Sequence, residues 1–277
     1  MKKSYFVILL ICCFVIVASC SKNREEESRG DDSASTFVTS VADDYKKWME
    51  IPVYEGDNDS KILRRKGYTT SYNRKTKQPD WVAWRLTKKH TYGDYRRDSL
   101  EFLEDREVER PRATLDDYFR SGYDRGHMCP SGDNKWDEEA QRQSFLLTNV
   151  CPQNHWLNKD EWNDLEIQCR RWARKYGQVY IICGPLFEGN DIKRIGKNKV
   201  YVPTGFFKVV LANDRNPKAV GYVFDNRSKS NGRACSVDEI EALTGMDFFS
   251  LLEDKVEDRI EAYAADELSD FYEKRYW

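Results

Sequence analysis

Tyr123-Asp124-Arg125-Gly126-His127-Met128 and, further on, Asn158-Lys159-Asp160-Glu161-Trp162-Asn163-Asp164-Leu165-Glu166 hold polar groups for which a hydrophobic core has no use. Residues 157–176 read as the clearest helix of the chain. Trp162, Leu165, Cys169, Trp172 and Tyr176 recur at three- and four-residue steps, and Gly177 ends the run. An arginine and a histidine, followed by a helix carrying an asparagine and a glutamate two turns apart, together offer a phosphate contact, a base and a metal site.

Hydrolysis of a phosphodiester needs a deprotonated water, positive charge on the phosphate oxygens and help for the leaving oxygen. A neutral imidazole such as His127 can accept a proton near pH 7. In an extended chain Arg125 lies on the same side as His127, and Gly126 leaves the opposite side without bulk. The bland reading pairs Arg125 with Asp124 and tucks His127 under a loop. On an ideal helix Asn158, Trp162 and Glu166 form one drifting row, with Asn158 and Glu166 ~12 Å apart along the axis. Both therefore cannot easily bind one ion directly. Asn158 would offer a neutral oxygen to a hard cation and Glu166 would hold the cation's waters, an arrangement that suits Mg2+. Taken alone, an asparagine at a helix start is a cap.

The composition supports a packed domain. Of 277 residues, 40% are hydrophobic and 13% aromatic, enough to fill a core. Lys2 and Lys3 precede an apolar run over residues 5–17, and Val17-Ala18-Ser19-Cys20 closes it. This pattern reads as a secretory signal over residues 1–19 that is too short to span a bilayer comfortably. A cysteine directly after small residues resembles the bacterial lipoprotein signal. Residues 20–44 then become a lipidated Cys20 with a polar tether, and residues 45–277 the folded domain. The expected location is exported and membrane-anchored, facing the periplasm or the cell surface.

Charge is unevenly distributed. The formal net charge is -2, yet residues 236–277 carry 13 acidic and 4 basic side chains, a net of -9. Once Lys2 and Lys3 are cleaved off, residues 20–235 are left at +5, so the part that holds His127 is basic. An acidic tail of this kind is expected to lie away from any surface that meets phosphates. Five cysteines remain beyond Cys20: Cys129, Cys151, Cys169, Cys183 and Cys235. Export would favour one or two disulfides among them. The absence of a Cys-x-x-Cys pair argues against structural zinc.

Elsewhere, residues 67–73 and 81–87 read as a hairpin around a turn at 73–80. Residues 92–118 read as a long, charged surface connection. The almost wholly apolar 178–183 reads as a buried strand, with further strands at 199–203, 206–211 and 219–223. Helical segments begin at Val237 and Lys255.

Asp124-Arg125-Gly126-His127, Thr148-Asn149-Val150-Cys151-Pro152-Gln153 and Leu157-Asn158 through Trp162 to Leu165-Glu166 resemble the DNA/RNA non-specific endonuclease family. The likeness continues through Gly184-Pro185-Leu186-Phe187, Val202-Pro203-Thr204 and Phe206-Phe207-Lys208, and covers about residues 67–249. The resemblance implies an α+β, ββα-metal (His-Me finger) fold with a central, mostly antiparallel sheet flanked by helices. In it His127 ends a strand and Asn158 opens a helix. The resemblance also implies a sugar-non-specific endonuclease acting on DNA and RNA. His127 matches the general base, Asn158 the protein ligand of Mg2+ (Mn2+ can substitute), Glu166 the carboxylate that holds the ion's waters, and Arg125 the arginine of the motif. An upstream arginine that assists the transition state falls to Arg97 or Arg106. Cys129 and Cys151 stand where relatives often have small apolar residues, either as a disulfide bracing the site or as two buried thiols. The competing reading is a catalytically silent surface lipoprotein that binds nucleic acid or a partner protein.

One expectation rests on the N-terminal pattern alone. Cys20→Ala should release the protein from the membrane fraction, because a lipid anchor of more than one chain is what makes such attachment stable. Cell fractionation checks this, and unchanged membrane association would rule the anchor out.

Overall fold

The computed structural model describes residues 47–54, 60–230, 232–266 and 268. All of them belong to a compact unit that begins at Asp44. The signal, the lipidated cysteine and the tether lie outside the described residues. Among these residues no helix is long and apolar enough to cross a membrane.

A seven-stranded sheet forms the centre. Its strands are β1 (Ser60–Arg64), β2 (Thr69–Asn73), β3 (Gln78–Thr87), β6 (Gln178–Leu186), β9 (Gly205–Ala212), β10 (Lys218–Asp225) and β11 (Arg233–Cys235), numbered in chain order. They lie in the order β1-β2-β3-β6-β9-β10-β11, and every neighbouring pair is antiparallel. Two small antiparallel sheets stand apart: β4 (Asp124–His127) with β5 (Val150–Gln153), and β7 (Arg194–Ile195) with β8 (Val200–Tyr201).

Period-two alternation divides the central strands between two cores. On one face Trp84, Leu86, Ile181, Cys183, Phe206, Val210, Tyr222 and Phe224 pack with Trp162, Leu165, Cys169 and Trp172. On the other, Trp81, Ile182, Phe207, Val209 and Leu211 pack with Val237, Ile240, Phe248 and Ile260. The helix bearing Asn158 and Glu166 thus covers one face. The acidic helices over 237–244 and 254–261 cover the other, while Ala264, Ala265 and Leu268 beyond them pack on the first face.

The hairpin turn is shorter than expected, because Gln78, Pro79 and Asp80 join β3. Asp80 is satisfied there by Ser60 Oγ (2.6 Å), Ser71 Oγ (3.1 Å) and Asn73 Nδ2 (2.9 Å), so its polarity does not expel it from the sheet. The strand expected at 199–203 shrinks to β8. Helix α1 (Leu115–Tyr118) ends the long charged connection. The polar segment after Trp136 forms α2 (Glu138–Ser144), capped by Asp137, whose Oδ1 accepts from the amides of Glu139 and Ala140.

The expected disulfides do not form. Cys129, Cys151, Cys169, Cys183 and Cys235 are all buried thiols. Cys129 Sγ meets Asn134 Nδ2 at 3.3 Å and Cys183 Sγ meets the Met128 carbonyl at 3.4 Å, so these sulfurs serve as packing and weak polar partners. Burial pushes Cys129 and Cys151 well above the ordinary thiol range, and Cys169 and Cys183 up to about 12. None is therefore poised as a nucleophile.

Candidate active site

Strand β4 places the histidine. Its register on β5 is Asp124 to Gln153, Arg125 to Pro152, Gly126 to Cys151 and His127 to Val150. A Cβ on Gly126 would fall 2.6 Å from Gln153 Cβ, so the strand closes on β5 only with glycine there. Arg125 and His127 share the other side, as alternation requires. The Arg125 guanidinium lies 5.0 Å from the centre of the Phe102 ring, and the His127 ring lies 4.9 Å from it. Phe145 meets the imidazole edge-on at 5.0 Å. Beyond His127 the chain is latched by Asn149, which accepts from Cys129 N at 2.9 Å and donates to the carbonyls of Cys129 and Ser144 at 2.8 Å each.

The pairing of Arg125 with Asp124 in the bland reading does not form, although His127 does lie under Phe102 of the long connection. Asp124 Oδ2 accepts from Asn158 Nδ2 at 2.9 Å and lies 3.0 Å from His155 Nδ1. Asp124 therefore serves Asn158, while Arg125 remains exposed beside Phe102. With its amide nitrogen fixed on a carboxylate, Asn158 directs Oδ1 elsewhere, and that oxygen has no partner among the described residues. A neutral oxygen held in one orientation is the donor a hard cation takes, so the site fits a metal on the structure's own terms.

The helix differs from the expected one. It begins at His155 with Asn154 as its cap, so Asn158 sits at the end of the first turn, not at the opening. Helix α3 (His155–Leu157) passes into a π turn (Asn158–Trp162) and then into α4 (Asn163–Tyr176), stopped by Gly177 at φ 86°. The π turn holds one extra residue and rotates the remainder of the helix by roughly the 100° of one residue. Glu166 is thereby brought to within about 20° of Asn158, where an unbroken helix would leave them about 80° apart. The signal was in the sequence. Leu157 and Trp162 are both buried and five residues apart, a step that fits a π turn and no α-helical face.

Trp162 pins this turn to the strand, because its Nε1 donates to the His127 carbonyl at 3.1 Å. Under it lies Lys208 of β9, fully buried, its ammonium 4.0 Å from the Trp162 ring centre and 5.5 Å from that of Trp84. Burial works against that charge, while Cys183 and Cys169, then Glu166 and Asp133, act the other way, and the pKa is raised. Asp133 is itself held by Trp84 Nε1 at 3.0 Å and Arg170 Nη1 at 2.7 Å. Sequence reading took residues 206–211 as an ordinary strand and missed Lys208 as part of the site's support. A lysine inside an otherwise apolar central strand was the available clue.

Three groups set the local charge. Burial, with Arg97 adding to it, pushes His127 down to about 3, so the ring is neutral at neutral pH. Its Nε2 is buried and has no hydrogen-bond partner. Burial raises Glu166 to about 7, against the opposing pull of Lys208, Arg170 and Arg97. The field of Arg97 thus reaches both His127 and Glu166, and its guanidinium lies 5.6 Å from the Phe145 ring centre. Arg106 instead lines a groove of about 750 Å3 with Arg65, Arg110, Arg112 and Arg142. Most of that groove's arginines are already neutralised. Arg65 pairs with Asp105 and Glu107, Arg110 and Arg112 with Glu104, and Arg142 with Glu139.

A strand pair followed by a helix, with a histidine at the strand end and an asparagine in the helix, is the ββα-metal arrangement of a nuclease. The family described as DNA/RNA non-specific endonuclease matches residues 47–255, and the chain belongs to that family. It is 35% identical over 206 residues to the mitochondrial nuclease EXOG of Danio rerio, covering 67% of this chain and 60% of that protein. It is 38% identical over 172 residues to mitochondrial endonuclease G of Homo sapiens, covering 58% of each. A nuclease of Nostoc sp. is 31% identical over 218 residues, covering 74% of this chain and 78% of that protein. The chain thus spans about six-tenths of the length of the animal relatives. A solved structure of EndoG in complex with EndoGI matches with a TM-score of 0.66 at 30% identity, over 70% of this chain and 87% of that one.

The support around Glu166 generates a test. Lys208→Met keeps the approximate volume but leaves Glu166 and Asp133 without the buried ammonium, so it should cost about 3–5 kcal/mol of stability. Without the ammonium the Glu166 pKa rises further, and deprotonation of Glu166 requires higher pH. The acid limb of the pH profile of kcat/KM should move upward, and an unmoved limb in a folded variant would separate Lys208 from Glu166.

Proposed function

We propose that the protein is a magnesium-dependent, sugar-non-specific endonuclease that hydrolyses phosphodiester bonds in DNA and RNA, leaving a 5′-phosphate. The observation that carries this reading is the joint placement of a neutral His127 with an unpartnered Nε2 and of Asn158, whose amide is anchored on Asp124. His127 takes the proton of the attacking water. Arg97 and Arg125, both exposed and free of ion pairs among the described residues, hold the phosphate oxygens. Asn158 would hold Mg2+, and Mn2+ in its place, with Glu166 accepting from the ion's waters. When bound there, the ion would supply positive charge to the phosphate and to the leaving oxygen.

A pKa of about 3 makes His127 a weak base before substrate arrives. A phosphodiester monoanion lodged against Arg97 cancels the charge that depresses the imidazole and strengthens it as a base when it is needed. The reading also places the enzyme at a membrane through lipidated Cys20, on the strength of the N-terminal sequence.

Digestion of plasmid and RNA by the mature protein, with Mg2+ and with chelator, tests the activity, and three variants test the division of labour. His127→Ala should lose ~10²- to 10⁴-fold in rate while nucleic-acid affinity persists. Asn158→Ala should demand more Mg2+ and recover part of its activity when given it. Glu166→Gln should lose ~10- to 100-fold, as changes to groups that orient a metal's waters do. Full activity in folded His127→Ala would overturn the mechanism, and a parental Mg2+ response in Asn158→Ala would overturn the ligand assignment.

A further inference from the structure

The face of the sheet opposite His127 carries α5 (Val237–Thr244) and α6 (Asp254–Glu261). Their packing brings Asp238 and Glu241 of one helix against Glu261 of the other, and one carboxylate oxygen from each lies within 4.8 Å of the others. Exposed acidic clusters are common and signify little. This one differs because Glu261 is only 5% exposed and its Oε1 is buried without a hydrogen-bond partner. Oε1 of the adjacent Glu257 is buried and unpartnered too. Glu241 is fixed in place, since its Oε1 accepts from Phe248 N at 2.8 Å. Burial, with Glu241, Glu257, Asp238 and Asp247 adding to it, pushes Glu261 up to about 9.

A buried carboxylate facing other carboxylates is unfavourable unless a proton or a cation joins them. We propose that Asp238, Glu241 and Glu261 form a binding site for a divalent cation of the calcium class, separate from the Asn158 site and on the other side of the sheet. Ca2+ takes roughly six to eight oxygens, carboxylates among them, in a flexible geometry, whereas Mg2+ demands a near-ideal octahedron and sheds its waters reluctantly, which a ligand as enclosed as Glu261 requires. A bound cation would tie α5 to α6 and remove the mutual repulsion of the acidic segment.

The inference does not depend on the nuclease reading, and its test does not need the nuclease activity. Thermal unfolding of the chelator-treated protein is recorded with and without CaCl2, in saturating MgCl2 so that the Asn158 site is served throughout. Free Ca2+ at about a hundred times its Kd should raise Tm by roughly 5–10 °C. Glu261→Gln should abolish that rise while plasmid cleavage stays at the parental rate. Asp238→Asn removes an exposed ligand from the rim, so it should fold normally and shift the Ca2+ titration to about tenfold higher concentration. No calcium response in the parent would overturn the proposal, and so would a response unchanged in both variants. Should Glu261→Gln fail to fold, Asp238→Asn decides alone.

Discussion

A single buried ammonium constrains most of what surrounds the His127 site. Lys208 stands in a central strand where its neighbours on the same face are Phe206 and Val210, and its Nζ has no hydrogen-bond acceptor. An ammonium in that position costs several kcal/mol in lost hydration unless charge and polarisable surface replace the water. The Trp162 and Trp84 rings supply the surface, and Cys183 and Cys169 together with Glu166 and Asp133 supply the electrostatic compensation. Several of these partners have a second task. Trp162 holds the His127 carbonyl, Trp84 and Arg170 hold Asp133, and Glu166 lies on the same side of the helix as Asn158 by virtue of the π turn. The lysine therefore links sheet, strand end and helix through residues that are also parts of the site.

The sequence made the chemistry legible where residue type alone carries it. Asp124-Arg125-Gly126-His127 showed a base and a cation on one side of a strand and a lack of bulk on the other, and the fold shows that Gln153 fills that side. The central strands were legible because apolar runs such as 178–183 and 206–211 have few alternatives. What could not be read depended on contacts between distant segments. Arg97 and Arg106 look alike in a charged connection with no periodicity, and only the fold separates an arginine beside Phe145 from one in a groove of paired arginines. The disulfide expectation came from the expected export of the chain, but the sulfurs are buried as core volume.

The π turn shows how a local departure can serve the site. Regular α-helix from His155 to Tyr176 would keep Leu157 and Trp162 from sharing the buried face, because a step of five residues turns ~140° away from the start. Burying both is worth a few kcal/mol, on the order of the cost of a strained turn. The same extra residue aligns Glu166 with Asn158. Packing thus supplies the driving force for a distortion whose consequence falls on the polar side of the helix.

Charge is arranged across the sheet with similar economy. The basic groups left without carboxylate partners near His127, Arg97 and Arg125, lie on the face covered by the strand pair, and the acidic helices pack on the face behind it. An anionic polymer approaching this molecule is drawn to one side and repelled from the other, which orients it before any contact is made. Burial, with the Arg97 guanidinium adding to it, keeps His127 unprotonated. In the proposed mechanism substrate charge and base strength are coupled through one guanidinium: a phosphate lodged against Arg97 would cancel part of what depresses the imidazole and strengthen it as a proton acceptor.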